Sequence, residues 1–395
     1  MSSLFSAGGP LRWLSGCYFF YFAILGALIP YLGLFFEHRG FDAAEIGFLM
    51  AIFMGTRIIA PNLWAMVADR NGLRAELVKI GSFTAAAGYL SFFYDGGFWY
   101  LAASLTFYTF FWNAILAQVE VLTLDTLGRN AHRYGSVRSF GSVGYIIWVV
   151  ITGWLVNQWG AEMVLWVGLA LFVGLFVCSL PLPSSRQART EHHTVSKPPL
   201  VFNRAIVLFL LSALLLQASV GPFYGFFVLY LKKVGYSETL SGIFVAMGAL
   251  SEIFMFMLVP RLLKRFNLKT LMMFSMAMTA IRWCLVATMP EHIVALIASQ
   301  ILHAFTFGLV HAASIQFVHR NFGKEHASKG QALYASMSFG LGGAIGNWIS
   351  GHIWGDGSGA AYVWLFSAAC AVAAMLTVYF IPTPACRVDL EATAD

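Results

Sequence analysis

Charged residues are scarce in this chain of 395 residues, since Asp, Glu, Lys and Arg together make up only 11% of it. In soluble globular domains, charged residues make up about a quarter of the sequence. With 59% hydrophobic residues, the composition excludes a soluble globular fold and predicts a multi-pass membrane protein.

The sequence also has few residues that suggest metal, disulfide or nucleic-acid chemistry. Its five cysteines stand singly, so they indicate neither a disulfide framework nor a metal site. The net charge of +6 is spread over many short loops without a basic run, so nucleic acid is not an expected partner. No triad, zinc-protease or nucleotide-binding motif is present, and we predict neither an enzyme nor a cofactor.

Long apolar runs dominate the chain, and each is long enough to cross a bilayer as a helix. They lie at 12–36, 43–68, 75–94, 98–124, 137–157, 161–181, 205–232, 238–260, 268–289, 291–318, 329–354 and 360–382. A polar stretch at 184–204 has the composition of a linker. We therefore predict an all-α membrane protein of twelve transmembrane helices, with six-helix bundles at 1–183 and 205–395 joined by a cytoplasmic linker.

The Lys and Arg residues of the loops fall almost entirely on one side of the membrane in this arrangement. The loops of the other side hold only Arg39, Lys232 and Lys233. Because cytoplasmic loops carry the excess of Lys and Arg, both termini are predicted to be cytoplasmic. The sequences of the two halves also resemble each other weakly when they are aligned with a shift of 195 residues, so that Gly47 corresponds to Gly242. Such pseudo-symmetric repeats are typical of transporters that work by alternating access.

Three consecutive apolar runs contain ionisable residues deep in their interior, where a charge costs about 2.5–3.5 kcal/mol. Glu252 is placed to take up and release a proton, or else to form a structural ion pair with Arg282. Arg282 stays charged, so it either holds an anion, displaces the proton from Glu252 or makes a fixed salt bridge. His303 titrates near neutrality and either relays protons or has a structural role.

Candidate substrate-binding residues lie in both halves. Arg57 matches Glu252 under the repeat, and its planar guanidinium fits a carboxylate, which favours an anionic substrate. His311 follows His303 by about two turns on the same helix face. Tyr224 belongs to a set of aromatic residues that suits a planar aromatic ligand.

Glu120 and Arg138 form a further candidate binding pair, on the predicted fourth and fifth helices. They bind polar groups of a substrate, or they have a structural role in which Asp125 is an alternative partner of Arg138.

The loop AMVADRNGLRAE (65–76) resembles the signature of the major facilitator superfamily between helices two and three, although Ala65 replaces its opening Gly. The resemblance, together with the twelve runs, covers the whole chain. It implies a cytoplasmic gate formed by Asp69, Arg70, Gly72 and Arg74, in which charged side chains join the ends of neighbouring helices.

Two branches of that superfamily are similar in more detail. The spacing of Glu120 and Arg138, and the positions of Arg282 and His303, resemble the substrate and proton-coupling residues of lactose permease. The acidic residue that should follow the His by one turn is Thr306 here. Bacterial phenylpropionate permeases are more similar, and the residues that carry this resemblance are Arg57, Tyr224, Glu252, Arg282, His303 and His311.

The resemblance implies a monomeric proton symporter of the bacterial inner membrane, with the lipid bilayer, protons and a small molecule as its partners. The expected substrate is an aromatic carboxylate such as phenylpropionate, imported with protons that Glu252 carries. Two alternatives remain open. One is proton symport of a neutral oligosaccharide or nucleoside, held by Glu120 and Arg138, and the other is an efflux transporter of the same fold.

Overall fold

The chain is helical throughout the part that the structure describes. This computed structural model describes residues 9–183 and 202–386, except for the side chains of residues 324 and 325, and contains no β-strand within those ranges. Only the last three residues of the predicted 184–204 linker lie in the described part, so nothing tests that prediction.

The helices of the first described stretch follow the apolar runs closely. They are α1 (Pro10–His38), α2 (Ala43–Asn71), α3 (Arg74–Tyr89) with the 3₁₀ turn Leu90–Phe93, α4 (Phe98–Leu127) with the 3₁₀ turn Gly128–Arg133, α5 (Tyr134–Trp159) and α6 (Met163–Ser179). The helices therefore begin and end within a few residues of the limits that hydropathy predicts, except at the end of α3.

The helices of the second stretch are more broken. They are α7 (Arg204–Gly225), α8 (Phe227–Val234), α9 (Glu238–Arg265), α10 (Leu268–Thr288), α11 (Ile293–Ile301), α12 (Val310–Ala335), α13 (Gly343–Trp354), α14 (Ala360–Tyr379) and the 3₁₀ turn Thr383–Cys386. Two π-helical segments, Ala304–Leu309 and Ser336–Gly342, lie on either side of α12. Within α12, Gly323 has a φ of 69°, a left-handed conformation that favours glycine and breaks the helix.

Eight helical stretches of the described residues are long and apolar enough to cross a membrane, with Phe98–Trp159 taken as one stretch. The all-α membrane class is therefore confirmed. The number of twelve crossings and the cytoplasmic placement of both termini stay predictions.

The described residues divide into two compact units. Within the described residues, unit 1 draws on 9–41, 55–183 and Tyr236–Ala246, and unit 2 on Asp42–Met54, 202–235 and 247–386. The helices α2 and α9 thus each contribute residues to both units. The domain limits predicted from the sequence stay a prediction.

Glycines allow the helices of each unit to pack closely. In unit 1, α1 packs on α5 and α6, and a Cβ atom at Gly144 would overlap the carbonyl oxygen of Phe19. In unit 2, α7 packs on α13 and α14, and a Cβ atom at Gly346 would overlap the carbonyl oxygen of Ala218. Small residues let helix backbones approach where lipid provides no hydrophobic driving force.

Each unit also has a cation that acts on a carboxylate near the ends of its helices. In unit 1, Arg39 makes a two-point hydrogen bond to Glu162, with Nε–Oε1 and Nη2–Oε2 distances of 2.5 and 2.8 Å. This contact raises the pKa of Arg39. In unit 2, Lys233 acts on Asp356 electrostatically, and a hydrogen bond from the Ser358 backbone N–H is the main cause that lowers the pKa of Asp356. The two contacts correspond within one residue under the 195-residue repeat.

Candidate proton-coupling and binding sites

Unit 2 brings together the three residues that the sequence singles out for proton coupling. Glu252 on α9, Arg282 on α10 and His303 after α11 form one hydrogen-bonded chain. His303 Nε2 lies 2.6 Å from Glu252 Oε1, and His303 Nδ1 lies 2.7 Å from Nη1 of Arg282. The three helices therefore join a carboxylate, an imidazole and a guanidinium directly, in that order.

The order of these groups fixes the protonation of the imidazole. A guanidinium only donates hydrogen bonds, so His303 Nδ1 must accept the one from Arg282. The proton of the neutral ring is then on Nε2, which donates to Glu252. A second proton on His303 would have to occupy Nδ1, and it would break the contact with Arg282. The chain thus links the position of Arg282 to the protonation of its neighbours.

The guanidinium of Arg282 is completely buried, with 0% exposure. It lies over the rings of Trp283 and Phe223, at 4.1 and 4.6 Å from the ring centroids. Its Nε and Nη2 atoms have no hydrogen-bond partner among the described residues. Tyr224 and Glu252 both act on Arg282 electrostatically. Because buried donors are seldom left unpaired, Arg282 has hydrogen-bonding capacity for a further acceptor.

Helix irregularity around His303 was not foreseen from the sequence. The π-helical segment Ala304–Leu309 follows His303 directly, and such segments are common at functional sites. It contains Thr306, whose hydroxyl accepts a hydrogen bond of 3.1 Å from Thr279. A Cβ atom at Gly248 would lie 3.2 Å from the His303 ring. In the sequence, the signal for this close approach was Gly248, in the run MGALSE (247–252) that ends at Glu252.

A second group of charged residues lies in unit 1 around Tyr21 on α1. Arg57, Glu120 and Arg138 all act on Tyr21 electrostatically. The Tyr21 ring also stacks on Trp112, with 5.1 Å between centroids and an angle of 29° between planes. Tyr21 is thus the residue that links the predicted unit 1 positions.

Glu120 and Arg138 have additional neighbours that the spacing of the two residues does not reveal. They act on each other electrostatically, and Tyr134 donates a hydrogen bond to Glu120. The guanidinium of Arg138 lies 3.8 Å from the centroid of the Phe22 ring. An aromatic ring therefore covers part of Arg138, and its role in substrate binding stays a prediction.

His311 lies in unit 2, in a setting different from that of His303. Its ring stacks on Phe307, with 5.4 Å between centroids and 11° between planes. Its Nδ1 atom lies 3.2 Å from the hydroxyl of Tyr334. The structure thus places His311 in an aromatic cluster within unit 2.

The predicted gate loop has the charged contacts that its motif implies. Arg74 forms an ion pair with Asp69, and its Nη1 atom donates a 2.8 Å hydrogen bond to Gln118 on α4. Gly72 has a φ of 65°, so glycine suits the turn. Arg70 borders an apolar groove instead of joining these contacts. Gln118, which the sequence did not single out, extends the gate contacts to a third helix.

A bundle of membrane-crossing helices with a buried Glu–His–Arg chain has the organisation of a secondary transporter. The protein belongs to the MFS_1 like family, whose model matches residues 11–366. The resemblance to the major facilitator superfamily is therefore confirmed.

Curated relatives and a solved structure agree with this family. The chain is 26% identical to the "Probable 3-phenylpropionic acid transporter" of Escherichia coli (strain K12), over 83% of this chain and 87% of that protein. It is 22% identical to the "Maltose permease" of Geobacillus stearothermophilus, over 92% of each chain. The crystal structure of the nucleoside transporter NupG superposes with a TM-score of 0.80 at 20% identity, over 94% of this chain and 99% of that one. The relatives are transporters and permeases, which confirms the prediction of a transporter rather than an enzyme.

Proposed function

We propose that this protein is a proton-coupled symporter that imports a small aromatic carboxylate, such as phenylpropionate, by alternating access. The observation that carries the proposal is the buried hydrogen-bonded chain Glu252–His303–Arg282. We further propose a monomer with twelve transmembrane helices and both termini in the cytoplasm, located in the bacterial inner membrane.

Glu252 is the proton carrier in this proposal, because it is the acidic member of the chain and Arg282 does not release its proton. Its side chain is 18% exposed, whereas that of His303 is 8% exposed. Of these two titratable groups, the Glu252 carboxyl is therefore the more accessible. Protonation removes the negative charge that acts on Arg282, and that guanidinium then has the capacity to hold a substrate carboxylate until Glu252 is ionised again.

The charges around Tyr21 support an anionic substrate. Arg57 and Arg138 contribute two positive charges and Glu120 one negative charge, so the formal sum around Tyr21 is +1. In unit 2, Glu252 and Arg282 balance each other. A monocarboxylate therefore complements the charge of the unit 1 group, and Arg57 matches carboxylate geometry.

The aromatic part of the proposed substrate rests on two further observations. Tyr21 and Trp112 form a stacked pair beside the charged group, and offset stacking with such rings favours an aromatic ligand. The curated relative with 26% identity carries the name of a phenylpropionic acid transporter. The proposed specificity for an aromatic acid rests on these two observations.

A neutral oligosaccharide or nucleoside is the alternative substrate, because a maltose permease and the nucleoside permease NupG also match the chain. The carboxylate of Glu120 and the guanidinium of Arg138 would then bind sugar hydroxyl groups. Efflux by the same fold is the remaining alternative and differs only in the direction of net transport.

Proteoliposomes with an imposed pH gradient test the function and the substrate together. We expect uphill uptake of labelled phenylpropionate, and we expect unlabelled phenylpropionate to compete while maltose and uridine do not. If only maltose or uridine competes, the substrate is a neutral oligosaccharide or nucleoside and not an aromatic acid. A thermal-shift screen of the same solutes, repeated with Arg57→Ala, tests whether Arg57 senses the carboxylate, with Arg12→Ala as an Arg→Ala control outside the proposed site.

A further inference from the structure

Unit 2 contains a small cavity whose lining includes no residue of the proton chain or of the unit 1 group around Tyr21. It has a volume of about 10 Å³ and lies between α7, α10, α12 and both π-helical segments. A cavity of about 10–15 Å³ has room for one water molecule. The volume of the cavity therefore fits a single water molecule.

The lining of the cavity is polar enough to hold that water. The lining includes Tyr334 and six further residues with hydrogen-bonding side chains, namely Ser212, Gln217, Thr306, His311, Ser314 and Ser338. A buried water typically makes about three hydrogen bonds. The cavity thus offers more partners than one water molecule needs.

The two π-helical segments face the cavity with equivalent pairs of residues. The first segment contributes Thr306 and Phe307, and the second contributes Ser338 and Phe339. In each pair a hydroxyl-bearing residue precedes a phenylalanine. Since π-helical segments are uncommon and concentrate at functional sites, two of them around one cavity point to a function for it.

One lining residue, Thr306, lies close to members of the proton chain along the sequence. Thr306 follows His303 by three residues, which is about one helical turn, and its hydroxyl accepts a 3.1 Å hydrogen bond from Thr279. Thr279 in turn precedes Arg282 by three residues on α10. The hydroxyl pair therefore lies one turn away from both basic members of the chain.

The lining of the cavity also includes a titratable pair. His311 Nδ1 lies 3.2 Å from the Tyr334 hydroxyl, which also hydrogen-bonds to the side chains of Ser314 and Ser338. His311 and Tyr334 are the titratable side chains that line the cavity. The polar groups thus extend from Thr306, through the cavity, to an imidazole.

We infer that this cavity is a one-water proton relay, through which the proton released from the Glu252–His303–Arg282 chain passes by Thr306 to the His311–Tyr334 pair. One proton enters at Thr306 and one leaves from His311, so the water and the hydroxyl groups end each cycle in their initial state. The inference rests on the proposed proton symport. It gives His311 a role in proton transfer in place of the substrate-binding role predicted from the sequence.

Two variants that remove one hydroxyl each, with little change of volume, test the relay. Thr306→Val removes the hydroxyl next to the proton chain, and Tyr334→Phe removes the hydroxyl that contacts His311. Matched controls come from unit 1. Thr109→Val removes a buried hydroxyl that bonds within its own helix, and Tyr108→Phe removes a buried hydroxyl that has no partner among the described residues.

The assay compares phenylpropionate-driven proton entry with equilibrium exchange in proteoliposomes that contain a trapped pH dye, after subtraction of the signal from protein-free liposomes. We expect Thr306→Val and Tyr334→Phe to slow proton entry by about tenfold or more, in line with the loss of a proton-transfer group. Exchange without net proton transfer should stay within about twofold of wild type. The two controls should match wild type, and Thr306→Ser, which keeps a hydroxyl, should restore proton entry.

Three other results overturn the inference, and they are distinguishable. Normal proton entry in both relay variants would exclude the relay while leaving proton symport intact. An equal loss of exchange and proton entry would show that the residues serve folding or substrate binding instead. No substrate-driven proton entry in the wild-type protein would refute the proposed function and the relay together.

Discussion

Replacement of the partly buried carboxylate of Glu252 by an amide, Glu252→Gln, is the most informative perturbation of the proton chain. Glutamine keeps the shape of the side chain and an oxygen that accepts the hydrogen bond from His303 Nε2, which is 2.6 Å long in the wild-type protein. The substitution therefore removes the charge and the ability to carry a proton, while it preserves most of the local geometry.

Its effect on stability follows from the burial of Arg282. Weakening a charged hydrogen bond to a neutral one costs about 1 kcal/mol. The larger effect is that Glu252 no longer compensates the charge of Arg282, which is 0% exposed. Removing one partner of a buried ion pair in direct contact costs about 3–5 kcal/mol. Because the His303 ring lies between Glu252 and Arg282, we expect a smaller total loss, about 1–2 kcal/mol.

The assay combines unfolding in detergent with uptake in proteoliposomes. Glu252→Gln should lower the unfolding temperature and abolish uphill uptake, while counterflow exchange persists. Adding Arg282→Met to Glu252→Gln should recover part of the lost stability, since the uncompensated charge disappears and the two effects are not additive. The matched control is Glu45→Gln, because the partly exposed Glu45 and Asp42 form reciprocal hydrogen bonds at the start of α2 and glutamine serves equally in such a capping box. Uphill uptake that survives in Glu252→Gln would refute Glu252 as the proton carrier.

Three further substitutions test other parts of the account. Arg57→Ala should raise the Kd for phenylpropionate by about tenfold or more in a thermal-shift titration, since a lost charged hydrogen bond costs about 1.5–3 kcal/mol; an unchanged Kd would remove Arg57 from the site. Gly346→Ala should destabilise the protein by about 1–3 kcal/mol in a denaturation assay because its Cβ atom would overlap the carbonyl oxygen of Ala218, whereas Gly55→Ala, with open space around it, should be neutral or stabilising. The lowered pKa of Asp356 stabilises the fold above about pH 4 and loses this effect at lower pH, so the difference in unfolding temperature between wild type and Asp356→Asn should vanish on acidification; a difference that is constant with pH would contradict this.

Hydropathy predicts the position of most helices because a bilayer requires long apolar helical runs. For example, the run 12–36 corresponds to α1, Pro10–His38. The breaks inside helices are harder to foresee. The run 205–232 is divided at Phe226, after Pro222 in α7, and the π-helical segments depend on packing that no single local residue determines. Local sequence therefore predicts where helices occur better than where they deform.

Prediction of the site from its charged residues is limited in the same way. Glu252, Arg282 and His303 stand out because ionisable residues are costly in apolar runs. Their hydrogen-bonding order, however, depends on how three separate helices pack, and spacing along the chain does not reveal it. Tyr21 belongs to the aromatic set that the sequence predicts, but its charged neighbours were not foreseen, and Gln118 was missed altogether. Neither residue type is unusual in such a helix, and only the packed structure shows the charged neighbours.

The most direct test of the central claim is the proton movement that accompanies phenylpropionate entry into proteoliposomes without any other ion gradient. Undissociated acid crosses lipid unaided, so the relevant signal is the excess over protein-free liposomes. The account predicts that the wild-type protein accelerates acidification of the interior and that Glu252→Gln does not. Accelerated substrate entry by the wild-type protein without proton movement, or acidification that is equally fast with Glu252→Gln, would contradict it.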